Sequence, residues 1–201
     1  MNILIINTAF DYADYIVLTN EMRYVYKTDS NAKHSETSLK FIDNALNKCN
    51  ISIKDLDVIA VNLGPGSFTG IRIGVALAKG FVSAIPRIKM IGFNSFEPLI
   101  ERINGRGNIY IETGKSDYYY AHVDAGEIND MGCRIDVDED EYFTILSGEP
   151  KSSYKEDELI NLVQNKINQN QYCEANELEP LYIKLSQAEQ DLLNNKIKRS
   201  C

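Results

Sequence analysis

The run Gly64-Pro65-Gly66-Ser67-Phe68-Thr69-Gly70-Ile71-Arg72-Ile73-Gly74 gathers the residue types in this chain best suited to chemistry. A glycine-rich turn ahead of a helix leaves backbone amides open, and the helix dipole there favours an anion, so phosphate binding is the first chemistry to weigh. Two familiar versions fit poorly. A P-loop closes on Gly-Lys-Ser or Gly-Lys-Thr, placing a lysine and a metal-binding hydroxyl on the phosphates, and this run has no such ending. A dinucleotide fingerprint starting at Gly64 needs a third glycine where Thr69 stands. Ser67 follows a glycine, but the Gly-x-Ser-x-Gly elbow of a serine hydrolase is not formed, and no histidine is visibly paired with it.

Other candidate sites are sparse. His34 and His122 are the only histidines and lie far apart, which argues against a histidine-rich metal site or a His-Glu-x-x-His helix. Cys49, Cys133, Cys173 and Cys201 form no Cys-x-x-Cys pair and read as reduced, unrelated thiols. The acidic run at 136–141 lacks the glycine and ligand spacing of a calcium loop and reads as a solvated edge.

The elements around the glycine run must position it. Residues 57–63 (DVIAVNL) make an apolar, β-branched run that stops at glycine, as a buried strand does. Gly64 and Gly66 permit a sharp turn and Pro65 stiffens it. Ser67 and Thr69 are both suited to cap a helix expected over 68–83. Along that helix Gly70, Gly74 and Ala78 recur every four residues and line one narrow face, at a cost in helix propensity that only close packing repays. The helix is pressed either against its own sheet or a neighbouring helix, or its exposed part also meets another protein.

Strands are expected at 3–7, 15–19, 23–26 and 88–92, with helices at 35–49 and 96–103, so the first half reads as a mixed sheet covered by helices. In the 35–49 helix Leu39, Ile42, Leu46 and Cys49 form the core stripe. Ser35 is the expected cap, and Glu36 suits the positive end of the dipole. Asn104-Gly105-Arg106-Gly107-Asn108 is rich in turn formers and divides the chain into 1–104 and 105–201. The second block reads as strands at 108–113, 118–123, 133–137 and 142–146 and a helix at 156–168. The segment Glu179-Pro180-Leu181-Tyr182-Ile183-Lys184 then leads to a polar helix carrying Ala188, Leu192 and Leu193.

The 201 residues, 44% hydrophobic and 25% charged, can bury one large core or two small ones. No apolar run reaches membrane-spanning length, and the start MNILIINTAF reads as a first strand, so a cytoplasmic protein is expected. A formal net charge of -8 argues against tight independent binding of nucleic acid. The one basic cluster, Lys196, Lys198 and Arg199, reads as a solvated tail.

With GPGSFTGIRIGVALAKG, an opening strand ending in Asn7-Thr8-Ala9, the His34-Ser35-Glu36 helix start and the late Pro180-Leu181-Tyr182-Ile183-Lys184, the chain resembles the TsaB (YeaZ) family. The resemblance implies an α/β fold of two ribonuclease H-like lobes, as in the actin, sugar kinase and Hsp70 ATPase superfamily, with a short second lobe. It implies a non-catalytic accessory role in placing threonylcarbamoyl on N6 of the adenosine beside the anticodon, in tRNAs reading codons that start with A. The partners implied are TsaD, the catalytic paralogue with a His-x-x-x-His metal motif absent here, and the ATPase TsaE. tRNA is met only through the complex, and the same helical face serves homodimers.

The partner contacts implied are His34, Glu36, Leu39, Phe68, Thr69, Arg72 and Val75, with Gly64, Pro65, Gly66, Gly70, Gly74 and Ala78 as structural elbow and close-packing stripe. No intrinsic cofactor is implied, and the resemblance leaves open a nucleotide at the partner interface. Two departures stand out: Asn7 replaces the family's usual aspartate in the first strand, and Ile111-Glu112-Thr113-Gly114 only loosely matches its Ile-Asp-Ala-Arg. The alternatives are an ATP-dependent phosphotransferase or ATPase of the superfamily, which Asn7 weakens, and a glycoprotease-like hydrolase.

Overall fold

The computed structural model describes residues 1–28, 34–113, 117–135, 137, 143–146 and 154–184. Strands β1 (Ile3–Asn7), β2 (Asp14–Leu18), β3 (Arg23–Lys27), β4 (Val58–Asn62) and β5 (Lys89–Phe93) form one sheet in the order β3-β2-β1-β4-β5. The β1-β2-β3 pairs are antiparallel, and β1-β4-β5 are parallel. Every residue of β1, β2 and β4 is buried, which is why they read as continuous apolar runs rather than alternating ones. Burying an isoleucine or leucine side chain contributes roughly 1.5–3 kcal/mol, so these three central strands carry most of the sheet's stability.

Helices α1 (His34–Lys48) and α2 (Phe68–Ala84) lie side by side, α1 over β2 and β3 and α2 over β1, β4 and β5. The helix expected at 96–103 is a 3₁₀ segment, Glu97–Arg102, with Pro98 in its first turn. Two expectations for α1 are corrected. The helix begins at His34, so Ser35 lies inside it and is not its cap. Leu39 leaves the core stripe and is 61% exposed; Ser38, Ile42, Ala45, Leu46 and Cys49 form the buried face instead. Ser38 can lie there because its hydroxyl pairs with that of Tyr15 at 2.6 Å.

Strands β6 (Arg106–Glu112), β7 (Tyr118–Asp124), β8 (Glu127–Arg134) and β9 (Phe143–Leu146) form a second sheet ordered β8-β7-β6-β9. It repeats the first sheet's β3-β2-β1-β4 pattern: antiparallel through β8-β7-β6, parallel from β6 to β9. Where residues 28–57 hold α1 between β3 and β4, residues 135–142 leave no room for a counterpart of that 15-residue helix. The strand expected at 133–137 is instead β8, ending at Arg134. The acidic run falls largely, and the helix expected after Lys184 wholly, outside the described residues.

Helix α3 (Glu156–Asn168) packs against β1 and the 3₁₀ segment through Leu159, Ile160 and Val163. The Tyr154 hydroxyl just ahead of it donates to the Ser95 carbonyl at 2.6 Å. Arg102 grips Glu158 through two bonds of 2.7 and 2.8 Å, and Lys166 reaches Glu97 at 2.9 Å. The chain then returns to the first sheet, where Cys173 bridges Met90 and Leu178 enters the core.

Candidate partner-binding face

The glycine run is bound to the end of β1. Ser67 N donates to the Ala9 carbonyl at 2.7 Å, and Thr8 Oγ1 donates to the Gly70 carbonyl at 2.7 Å. A Cβ on Gly66 would stand 2.1 Å from the Ala9 oxygen, and one on Gly70 would stand 1.9 Å from the Thr8 oxygen. Gly64 has a φ of +101°, and the Gly64–Pro65 peptide is cis. Ser67 is the cap, its hydroxyl accepting from Gly70 N at 3.2 Å, while Thr69 lies in the helix.

Gly74 meets Thr8 and Val61, and Ala78 is fully buried. The small-residue stripe is therefore consumed by the helix's own sheet and is no docking surface.

Beneath the elbow lies a buried polar network that the sequence reading did not pick out. Asn7 Nδ2 donates to Asp14 Oδ2 at 2.8 Å, and Asn7 Oδ1 accepts from Asn62 Nδ2 at 2.9 Å. Asn62 Oδ1 accepts from Gly64 N at 2.9 Å. The Ser95 hydroxyl stands 3.0 Å from that same oxygen and 2.7 Å from the Pro65 carbonyl. Lys27 Nζ lies 3.3 Å from the other Asp14 oxygen.

Burial raises the Asp14 carboxyl above its ordinary range, more strongly than Lys27 and the Asn7 hydrogen bond pull it down. Asparagines closing two adjacent apolar strands, IIN and VN, were the signal that could have found this network. Its side chains are turned toward one another and the turn they hold, an arrangement suited to fixing the elbow rather than to moving a phosphate.

The outer face of the two helices is different. Glu36, Thr69 and Arg72 are exposed, as is Leu39, and Phe68 is half-buried. Val75 is 6% exposed and belongs to the core, so it is withdrawn as a surface contact: it lies one helical turn on from the buried Ile71 and next to the buried Gly74, on the inner side of α2. His34 opens α1, and its side chain lies outside the described part of the structure.

Phe68 and Arg72 are engaged within the chain. Tyr182 stacks on Phe68 with centroids 4.8 Å apart, its hydroxyl accepts from Arg72 Nε at 2.8 Å, and the Arg72 guanidinium lies 3.9 Å over the Phe68 ring. Sequence patterns hold no trace of this contact.

The alternatives meet specific obstacles. His122 pairs with Asn108 at 2.9 Å and with Arg106 at 3.2 Å in the second sheet, away from Ser67. A Gly-Lys-Ser tripeptide does occur, at 114–116, outside the described residues, but Ile109 stands where a P-loop carries its first glycine. Among the described residues no three His, Cys, Asp or Glu side chains are grouped as metal ligands. A cavity of about 440 Å³ opens at the ends of β4 and β5 between Leu63, Phe93, Glu97 and Leu181, with Glu97 already held by Lys166 and Asn94 N. No helix among the described residues is long and apolar enough to cross a membrane.

Two sheets ordered 3-2-1-4-5 and 3-2-1-4, helices packed on the first and a glycine elbow sealed onto β1 define a protein of the ribonuclease H-like α/β class. The family model of TsaD, tRNA N6-adenosine threonylcarbamoyltransferase, matches residues 25–188, and the chain belongs to that family, on its TsaB (YeaZ) side. It is 35% identical over 131 residues to the tRNA threonylcarbamoyladenosine biosynthesis protein TsaB of Bacillus subtilis, covering 59% of this chain and 56% of that one. It is 34% identical over 100 residues to the tRNA N6-adenosine threonylcarbamoyltransferase of Sulfurisphaera tokodaii, covering 43% of this chain and 29% of that one. YeaZ from Pseudomonas aeruginosa has the same fold, with a TM-score of 0.71, 16% identity, and coverage of 90% of this chain and 100% of that one. The chain spans about half the length of the TsaB relatives it matches.

Proposed function

We propose that this chain is a non-catalytic accessory subunit of tRNA threonylcarbamoyladenosine biosynthesis, which binds the catalytic TsaD through the outer faces of α1 and α2. The observation that carries this reading is the family match over 25–188 in a chain with only two, widely separated histidines, and so without the His-x-x-x-His of the catalytic paralogue. The network around Asn7 supports it, because the strand end that would need a carboxylate for phosphate chemistry carries an amide already committed to Asp14 and Asn62. Exposed Leu39 beside Glu36 on α1, and Thr69 and Arg72 on α2, give the mixture of apolar and charged groups that a non-obligate interface uses.

TsaE joins through the complex, a second copy of this chain competes for the same face, and tRNA is met only in the assembly. The two sheets correspond to lobes divided near residue 104, the first bearing the partner face. Titration of the cognate TsaD with this chain by calorimetry tests the reading. Saturable one-to-one binding that Leu39→Asp weakens is the expected result; no heat of binding, with ATP hydrolysis by the chain alone, points to an independent phosphotransferase or ATPase.

A further inference from the structure

The described residues after α3 cross the elbow and reach the outer face of α2. Leu178 is buried, Leu181 N donates to the Leu63 carbonyl at 2.7 Å, Tyr182 lies on Phe68, and Lys184 is paired with Asp117 just ahead of β7. This strap is anchored on both sides of Tyr182, which is nonetheless 43% exposed. Next to it the exposed Arg72 is held in one pose: its plane rests 3.9 Å over Phe68, the Tyr182 ring centroid is 5.7 Å away, and Nε is bound to the Tyr182 hydroxyl. Its two terminal amino groups make no hydrogen bond among the described residues.

A guanidinium is planar, weakly hydrated and able to grip a carboxylate through two parallel N–H bonds. Held by two rings and one hydrogen bond, it has already lost most of the rotamer freedom that binding would otherwise remove. An exposed tyrosine and arginine in contact with a half-buried phenylalanine also have the composition of an interface hot spot.

We propose that the strap is a working part of the partner face: Tyr182 and Phe68 preorganise Arg72 as a fork for a carboxylate side chain of the partner protein. This rests on the reading that the outer faces of α1 and α2 bind TsaD. A protein carboxylate is favoured over a nucleic-acid phosphate because the chain carries a net charge of -8 and the fork is flanked by aromatic and threonine side chains rather than by further cations.

The test is the dissociation constant of the full chain for the cognate TsaD, with thermal melts confirming that each variant folds. Arg72→Lys, which keeps the charge but not the fork, is expected to weaken binding about tenfold. Tyr182→Ala is expected to weaken it about tenfold, and Tyr182→Phe, which keeps the ring and removes the acceptor, about threefold. Tyr182→Ala combined with Arg72→Gln binds no worse than Arg72→Gln alone, since the tyrosine acts through the arginine.

Wild-type affinity in Arg72→Lys and Tyr182→Ala, with Leu39→Asp still weakened, overturns the fork and leaves the partner face standing. Additive losses overturn the preorganisation. Binding of tRNA by the chain alone that Arg72→Gln abolishes assigns the fork to phosphate and overturns the carboxylate. Failure of the wild-type chain to bind TsaD overturns both readings.

Discussion

Asn7 and Asp14 face each other across the β1-β2 pair, the amide of the first donating to the carboxylate of the second at 2.8 Å. A buried carboxylate needs partners, and Asp14 has this amide and Lys27. These partners compensate only in part for taking the carboxylate out of water, and burial leaves the carboxyl pKa raised.

That shift gives stability a pH signature. The folded pKa lies above the unfolded value near 3.8, so the Asp14 contribution is full below that value and is lost as pH rises through the folded pKa. Asp14→Asn keeps an acceptor for Asn7 and has no titration. The unfolding free energy of the variant minus that of wild type should grow more positive as pH rises from about 4. Urea unfolding across pH measures the slope, and a flat or falling difference contradicts it.

The sealed elbow predicts opposite signs for two glycines on one helix. Gly70→Ala drives a methyl group to 1.9 Å from a backbone oxygen and should cost about 3 kcal/mol or more. Gly80→Ala meets nothing within 4 Å and should stabilise α2 by about 0.5–1 kcal/mol. Denaturant midpoints of the two variants decide the matter.

Tyr154 joins the lead of α3 to the first sheet. Tyr154→Phe keeps the packing against Phe10 and removes the donor to the buried Ser95 carbonyl, at an expected cost of about 1–3 kcal/mol. A thermal or chemical melt within error of wild type would show that the bond contributes nothing.

Leu39 is exposed in the middle of α1, so its replacement should spare the fold and strike the partner. Leu39→Asp is expected to change stability by no more than about 0.5 kcal/mol. Its affinity for TsaD should fall about tenfold or more, because a buried interfacial leucine exchanged for a charge loses both burial and solvation. Unfolding curves and calorimetry on the same preparation separate the two effects.

Elements whose burial follows a simple period were legible in the sequence. Apolar runs located β1, β2, β4 and β5 to within a residue or so, and α3 runs over 156–168 as expected. β8 was misplaced because EINDMGCR is an edge strand with no buried residue, so its sequence has no apolar period to read. The turn ahead of it, Ala125-Gly126 with φ of 52° and 82°, puts alanine where asparagine normally signals a hairpin. Leu39 was read into the core by spacing, while Ser38 beside it took the buried position through a hydrogen bond from Tyr15 on β2.

At the candidate site, the glycine positions were readable because close packing selects for the missing side chain. The Asn7 network and the clasp of Tyr182 on Arg72 were not, since the first joins segments 55 residues apart and the second segments 110 residues apart.

The most direct test is reconstitution of tRNA threonylcarbamoylation with the cognate TsaD, TsaE and adenylate-forming enzyme, with this chain present or omitted. Modified tRNA should form only when the chain is present, and Leu39→Asp should raise the concentration of the chain needed to support it. Modification at equal rate without the chain would contradict the accessory role.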